Sequence, residues 1–114
     1  MAVTVQQVQD CFFVTASGCL DAEDCLQLKQ AIVAAKAAGV HNVLVDCEHL
    51  SAVTTEALRI VLSQTSSAEV AGINLVFYRV HPGVQAVIDR TGLNSVLCIV
   101  QGLQEAYHYC RSQS

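Results

Sequence analysis

Residues 43 to 62 read VLVDCEHLSAVTTEALRIVL: an apolar run that stops at Asp46, a short polar loop, then a helical pattern from Thr54 and Thr55. An apolar run bounded by turn signals reads as a strand buried on both faces, which requires helices on the sheet. The start of the helix that follows also bears on chemistry. Its first backbone N–H groups lack intrahelical acceptors and lie at the positive end of the helix dipole. A hydroxyl placed there is either a plain helix cap or a position where a phosphate is well tolerated.

The same grammar repeats along the chain. Val3–Val5 and Cys11–Ala16 are short β-forming runs separated by Gln6–Asp10, and they read as a hairpin. Ser17–Gly18 marks a turn, and Asp21 stands where a helix begins, with Glu23 and Asp24 in its first turn. Cys25, Leu28, Ile32 and Ala35 recur at helical spacing before Gly39 stops the helix. His41–Asp46 is the next strand, and Thr54–Val70 the next helix, closed by Gly72. Ile73–Val80 is a continuous apolar strand. Pro82 opens a third helix that ends at Gly92, Val96–Val100 is the last strand, and Leu103–Cys110 the last helix, with Arg111–Ser114 frayed. The predicted order is β-β-α-β-α-β-α-β-α: an α/β domain with a small mixed sheet covered by helices. The whole chain, residues 1 to 114, reads as one domain.

Composition narrows the function. Lysine and arginine together number 6 against 10 acidic residues, for a net charge of −4, and no basic run occurs. Nucleic-acid partners and anionic membrane surfaces both call for clustered positive charge, so neither is expected. No apolar segment approaches the ~20 residues of a membrane span. The N-terminus has neither the basic lead nor the apolar stretch of a signal peptide. A soluble, cytoplasmic chain is expected.

The 6 cysteines, at positions 11, 19, 25, 47, 98 and 110, are irregularly spaced and form no CxxC pair. Most lie within apolar periodic segments, where a thiol behaves as a small hydrophobe, so reduced and mostly buried thiols are expected. Cys47 and His49 supply two candidate metal ligands where zinc needs three or four, so no metal site is expected. The glycines are isolated rather than gathered into a phosphate-binding loop, and no cofactor is expected. No GxSxG is present, and the histidines at 41, 49, 81 and 108 have no nucleophile and carboxylate at informative spacing. His41 and His81 read as polar residues at strand ends. The sequence points away from an enzyme.

On a helical wheel, Ala57, Leu58, Val61, Leu62, Thr65 and Ala68 share the side expected to face the sheet. Glu56, Arg59, Ile60, Ser63 and Ser67 fall opposite. Ile60 is an aliphatic side chain on a polar face, which is either an ordinary exposed apolar residue or the centre of a partner-binding patch. Thr54 and Thr55 have one capping role between them, and the second hydroxyl is left without a structural task.

With these features in order, the chain resembles the STAS domain, the module shared by sulphate transporters and bacterial anti-sigma-factor antagonists. Gly18-Cys19-Leu20-Asp21 matches the family's entry to its first helix, and Val43-Leu44-Val45-Asp46 its central strand. Gly72 with Leu75-Val76-Phe77, then Val80, Pro82, Val84 and Thr91-Gly92-Leu93, match the units that follow, and Gln104-Glu105-Ala106 resembles the final helix start. The family signature, Asp-Ser-x-Gly, falls here on Thr54, Thr55, Glu56 and Ala57.

The resemblance implies a non-enzymatic regulator of transcription that binds a protein partner, an anti-sigma factor or a serine/threonine switch kinase. It implies phosphorylation at Thr55, with Thr54 the lesser candidate, and partner contacts through Glu56, Arg59, Ile60 and Ser63. Asp46, Glu48 and Glu56 are expected to make this corner acidic. Two other readings stay open: a constitutive STAS subunit of a stress-signalling complex or lipid ABC transporter, and a small-molecule or thiol sensor. Self-association into a homodimer also stays open.

Overall fold

A computed structural model of the chain describes residues 2–8 and 11–112, with side chains described for 4–8 and 11–110. Its centre is a five-stranded sheet in the order β1-β2-β3-β4-β5. The strands are β1 (Ala2–Val8), β2 (Cys11–Leu20), β3 (Asn42–Val53), β4 (Asn74–Tyr78) and β5 (Cys98–Val100). β1 and β2 pair antiparallel as the expected hairpin, and the other pairings are parallel. The helices are α1 (Ala22–Ala37), α2 (Thr55–Val70), α3 (Pro82–Thr91) and α4 (Leu103–Ser112), with a short 3₁₀ turn at Leu93–Ser95. The element order is the one the sequence predicts. Of the tail expected to fray, Arg111 and Ser112 continue α4, and the last two residues lie outside those described, as do Gln9 and Asp10 between the first two strands.

Strand alternation divides the sheet's side chains between two cores. Phe12, Val14, Val43, Val45, Leu75 and Phe77 face α1, α2 and α3. Leu44, Val76 and Tyr78 face α4 alone, through Ala106 and Cys110. A T-shaped contact of Phe13 with Tyr107, 6.1 Å between ring centroids, also ties α4 to β2. Val43 and Leu44 are both fully buried although they point to opposite faces, which is why the run carries no alternating pattern. Each such side chain contributes ~1.5–3 kcal/mol of burial.

The local signals hold at most helix ends. Asp21 caps α1 in a reciprocal capping box with Asp24. Pro82 opens α3, and Gly92, at φ 77°, closes it in the left-handed conformation that glycine adopts without strain.

Two expectations fail together. Ser17–Gly18 is not a turn, and no loop follows Asp46. Instead β2 runs on to Leu20 and β3 to Val53, still paired, across register shifts between Thr15 and Ser17 and between Gly18 and Cys19. Gly18 takes φ 77° beside the second register shift, where β3 carries the extra residue, so the turn signal was a left-handed glycine inside a paired strand. Glu48, His49, Ser51 and Ala52 looked like a loop because β4 ends at Tyr78, opposite Asp46. Beyond that point β3 has a neighbour on one side only and its polar residues are exposed. The strands at 73–80 and 96–100 are likewise shorter than predicted, at Asn74–Tyr78 and Cys98–Val100.

Candidate functional site

The long β3 delivers the chain to α2. The backbone N–H of Thr54 donates to the Leu20 carbonyl at 3.1 Å, fixing the start of α2 against the end of β2. Thr54 has extended backbone angles and is the N-cap, and its Oγ1 accepts the Ala57 N–H at 3.0 Å. Thr55 is the first helical residue. Its side chain is exposed and makes no hydrogen bond among the described residues.

Glu56, Arg59 and Ser63 are exposed on the same helix. Ile60 departs from its predicted place: it is half-buried and packs against the main core. Leu62 and Thr65 are half-buried, and Gln64 is buried in their stead, its Nε2 donating to the Cys25 carbonyl at 2.6 Å. A buried amide is tolerated there because α1 supplies an acceptor. Nothing in the wheel marks it, since its partner lies 39 residues away. Ala57 is fully buried, and its carbonyl receives the Cys25 thiol at 3.6 Å. The residue at this signature position therefore sits in the close contact between α1 and α2.

The corner around Asp46 is not the acidic patch expected. Arg79, just past β4, lies 3.7 Å from Asp46 Oδ2 and pairs closely with Glu48 Oε2. Those two contacts, with hydrogen bonding from Glu48 first among the causes, raise the guanidinium pKa further. Asp46 Oδ1 accepts the Glu48 N–H at 3.0 Å, and His81 Nε2 meets the Glu48 carbonyl. Arg79 holds φ 59°, a left-handed conformation that L side chains enter at a cost. Its guanidinium stands 5.7 Å from the centre of the Tyr78 ring. Burial first, then Asp46, pushes the Tyr78 phenol up to about 12. Two of the three acidic groups are thus engaged by one arginine, and the outer half of β3 separates them from the helix start, where Glu56 stands. Nothing in the sequence singles out Arg79, and His81, expected only as a polar residue at a strand end, joins the cluster through the Glu48 carbonyl.

Cys11, Cys25, Cys47 and Cys110 are buried, Cys98 is half-buried and Cys19 is exposed. The Cys47 thiol points to the Val45 carbonyl at 3.8 Å, whereas His49 is exposed beside Glu48. Among the described residues no group of three or more histidine, cysteine or acidic side chains could hold a metal ion. No helix among them is long and apolar enough to cross a membrane.

The hairpin, the parallel βα units and the lone helix on the second face define a class, the small α/β domain built on one mixed sheet. The chain belongs to the STAS domain family: a family model described as "Mlab, STAS domain" matches residues 3–101. Solved structures agree on the fold. An anti-sigma factor antagonist from Mycobacterium paratuberculosis is 22% identical, with a TM-score of 0.75 over 96% of this chain and 93% of that one. A variant of Moorella thermoacetica RsbS is 19% identical, with a TM-score of 0.78 over 98% and 97%. The Bacillus cell-fate determinant SpoIIAA in its phosphorylated form is 19% identical, with a TM-score of 0.68 over 96% and 99%. No curated protein matches the chain.

Proposed function

We propose that this chain is a non-enzymatic partner-switching regulator of the anti-sigma-factor-antagonist kind, docking its partner through the start and outer face of α2. Thr55, Glu56, Arg59 and Ser63 form the contact surface, with half-buried Ile60 as its apolar edge. The partner is an anti-sigma factor or a serine/threonine switch kinase, and phosphorylation of Thr55 releases it.

The observation that carries this reading is the division of labour between the two threonines. Thr54 Oγ1 is committed to the Ala57 N–H, and the Thr55 hydroxyl is exposed at the first helical position. A phosphate there adds about −1.5 to −2 charges at a helix start that accommodates them without unfolding. Release then comes from repulsion or a clash with the partner rather than from a change of fold. Phosphorylated SpoIIAA, a relative in fold, supports the choice of mechanism.

One observation favours a second reading, a constitutive subunit of a larger assembly. Thr54 and Ala57 stand where the signature has an acid and a glycine, and Ala57 is packed without exposure. A helix start that keeps its cap but loses these residues retains the docking surface and loses features a kinase would read.

Co-purification of the tagged full chain tests both. The switching reading expects a partner held by the native chain and by Thr55→Ala, and lost with Thr55→Glu or Arg59→Glu. A partner held equally by Thr55→Glu supports the constitutive subunit, and a partner indifferent to Arg59→Glu overturns docking on α2.

A further inference from the structure

Helix α1 presents two large aliphatic side chains to solvent. Leu26 is 56% exposed and Val33 58%, two turns apart on one face. With Lys29, Gln30, Ala34 and Ala37 they line a shallow groove of about 460 Å³. Single exposed aliphatics are ordinary. An aligned pair flanked by alanines is a stripe of the width another helix covers, and the small residues permit the ~8–10 Å axial approach of packed helices.

The charges at the two ends of α1, on either flank of the stripe, indicate what covers it. Glu23 lies in the first turn of α1 and Lys36 in the last. A closed homodimer needs a patch complementary to itself. We propose that a second copy of the chain docks here, α1 against α1 in antiparallel, about a two-fold axis that passes between Lys29 and Gln30. That axis sets Leu26 of each copy against Val33 of the other and places Glu23 of each opposite Lys36 of the other. The shallow left-handed crossing of about 20° common to such pairs swings the helix ends together, so the long acidic and basic side chains reach one another. The axis also brings Lys29 of each copy near Lys29 of the other at the edge of the stripe, where both carry their ammonium groups out to water. The parallel alternative would set Glu23 beside Glu23 and Lys36 beside Lys36, a like-charge arrangement at both ends.

A single helix pair buries less than the roughly 1,200–2,000 Å² of a stable interface, so association is weak. Sedimentation equilibrium of the full chain between about 10 µM and about 1 mM covers the range of a weak dimer. The native chain is expected to shift from monomer to dimer across the range, and Val33→Glu to remain monomeric. Glu23→Lys and Lys36→Glu alone are each expected to weaken the dimer roughly tenfold, because each change spoils two ion pairs. The double variant is expected to recover most of the loss, with thermal melts checking that every variant is folded. A native chain that stays monomeric to the upper limit overturns the proposal, as does a dimer indifferent to Val33→Glu. Failure of the double variant to recover overturns the antiparallel register.

Discussion

Thr54 Oγ1 accepts the Ala57 backbone N–H at 3.0 Å, and that hydrogen bond decides which of two adjacent threonines is free. Thr54→Ala is expected to cost about 1 kcal/mol, the ordinary value of a lost N-cap. Thr54→Asp is expected to keep the cap and to favour the helix dipole. Thr55→Ala is expected to stay within ~0.5 kcal/mol of the native chain, as an exposed residue without a structural bond should. Urea unfolding with unchanged slope measures all three.

Gln64 joins α2 to α1 through the Cys25 carbonyl, and its Oε1 has no partner among the described residues. Gln64→Ala removes that bond from a buried site and is expected to lower stability by about 1–3 kcal/mol. Gln64→Met keeps most of the volume and removes the orphaned oxygen, so a smaller loss is expected. Thermal melts rank the two.

Arg79 combines a left-handed backbone with contacts to Asp46 and Glu48. Arg79→Gly loses the contacts but adopts the backbone freely, whereas Arg79→Ala loses the contacts and keeps the strain. The glycine variant is therefore expected to melt above the alanine variant. The reverse order would mean that the loop relaxes out of this conformation.

What was legible in the sequence was local. Asp21, Pro82 and Gly92 act within one helical turn, and Val43-Leu44-Val45 announces burial on both faces by composition alone. The capping role available to the threonine pair could be read in the same way. What was illegible depends on partners distant along the chain. The outer half of β3 is a strand because β2 continues beside it, and its polar, singly paired residues carry no such sign. Gly18 takes its left-handed angle in a strand or in a turn according to whether the flanking residues stay paired. Gln64 is buried because of Cys25, and the Asp46–Glu48–Arg79 cluster joins the middle of β3 to the residue just past the end of β4.

The thiols give a pH dependence. Burial first, then Asp24 and Asp21, pushes the Cys25 thiol up to about 11. Burial first, then Asp46, pushes Cys47 up to about 12. Both lie above the ordinary 9.0, so the folded chain holds protons that the unfolded chain gives up. Their contribution to stability is complete below pH 9 and is lost as pH rises toward 11–12. Melting temperature is expected to fall over that window. At pH near 8, a thiol reagent is expected to label exposed Cys19 first and the four buried thiols only on unfolding. Fast native labelling of Cys25 or Cys47 would instead support a thiol sensor.

The central claim is that the free hydroxyl at the start of α2 is the switch. Its most direct test is the intact mass of the full chain after incubation with serine/threonine switch kinases and ATP. The account expects a gain of about 80 Da, one phosphate, that disappears in Thr55→Ala and persists in Thr54→Asp. No gain, or a gain that survives Thr55→Ala, would contradict it.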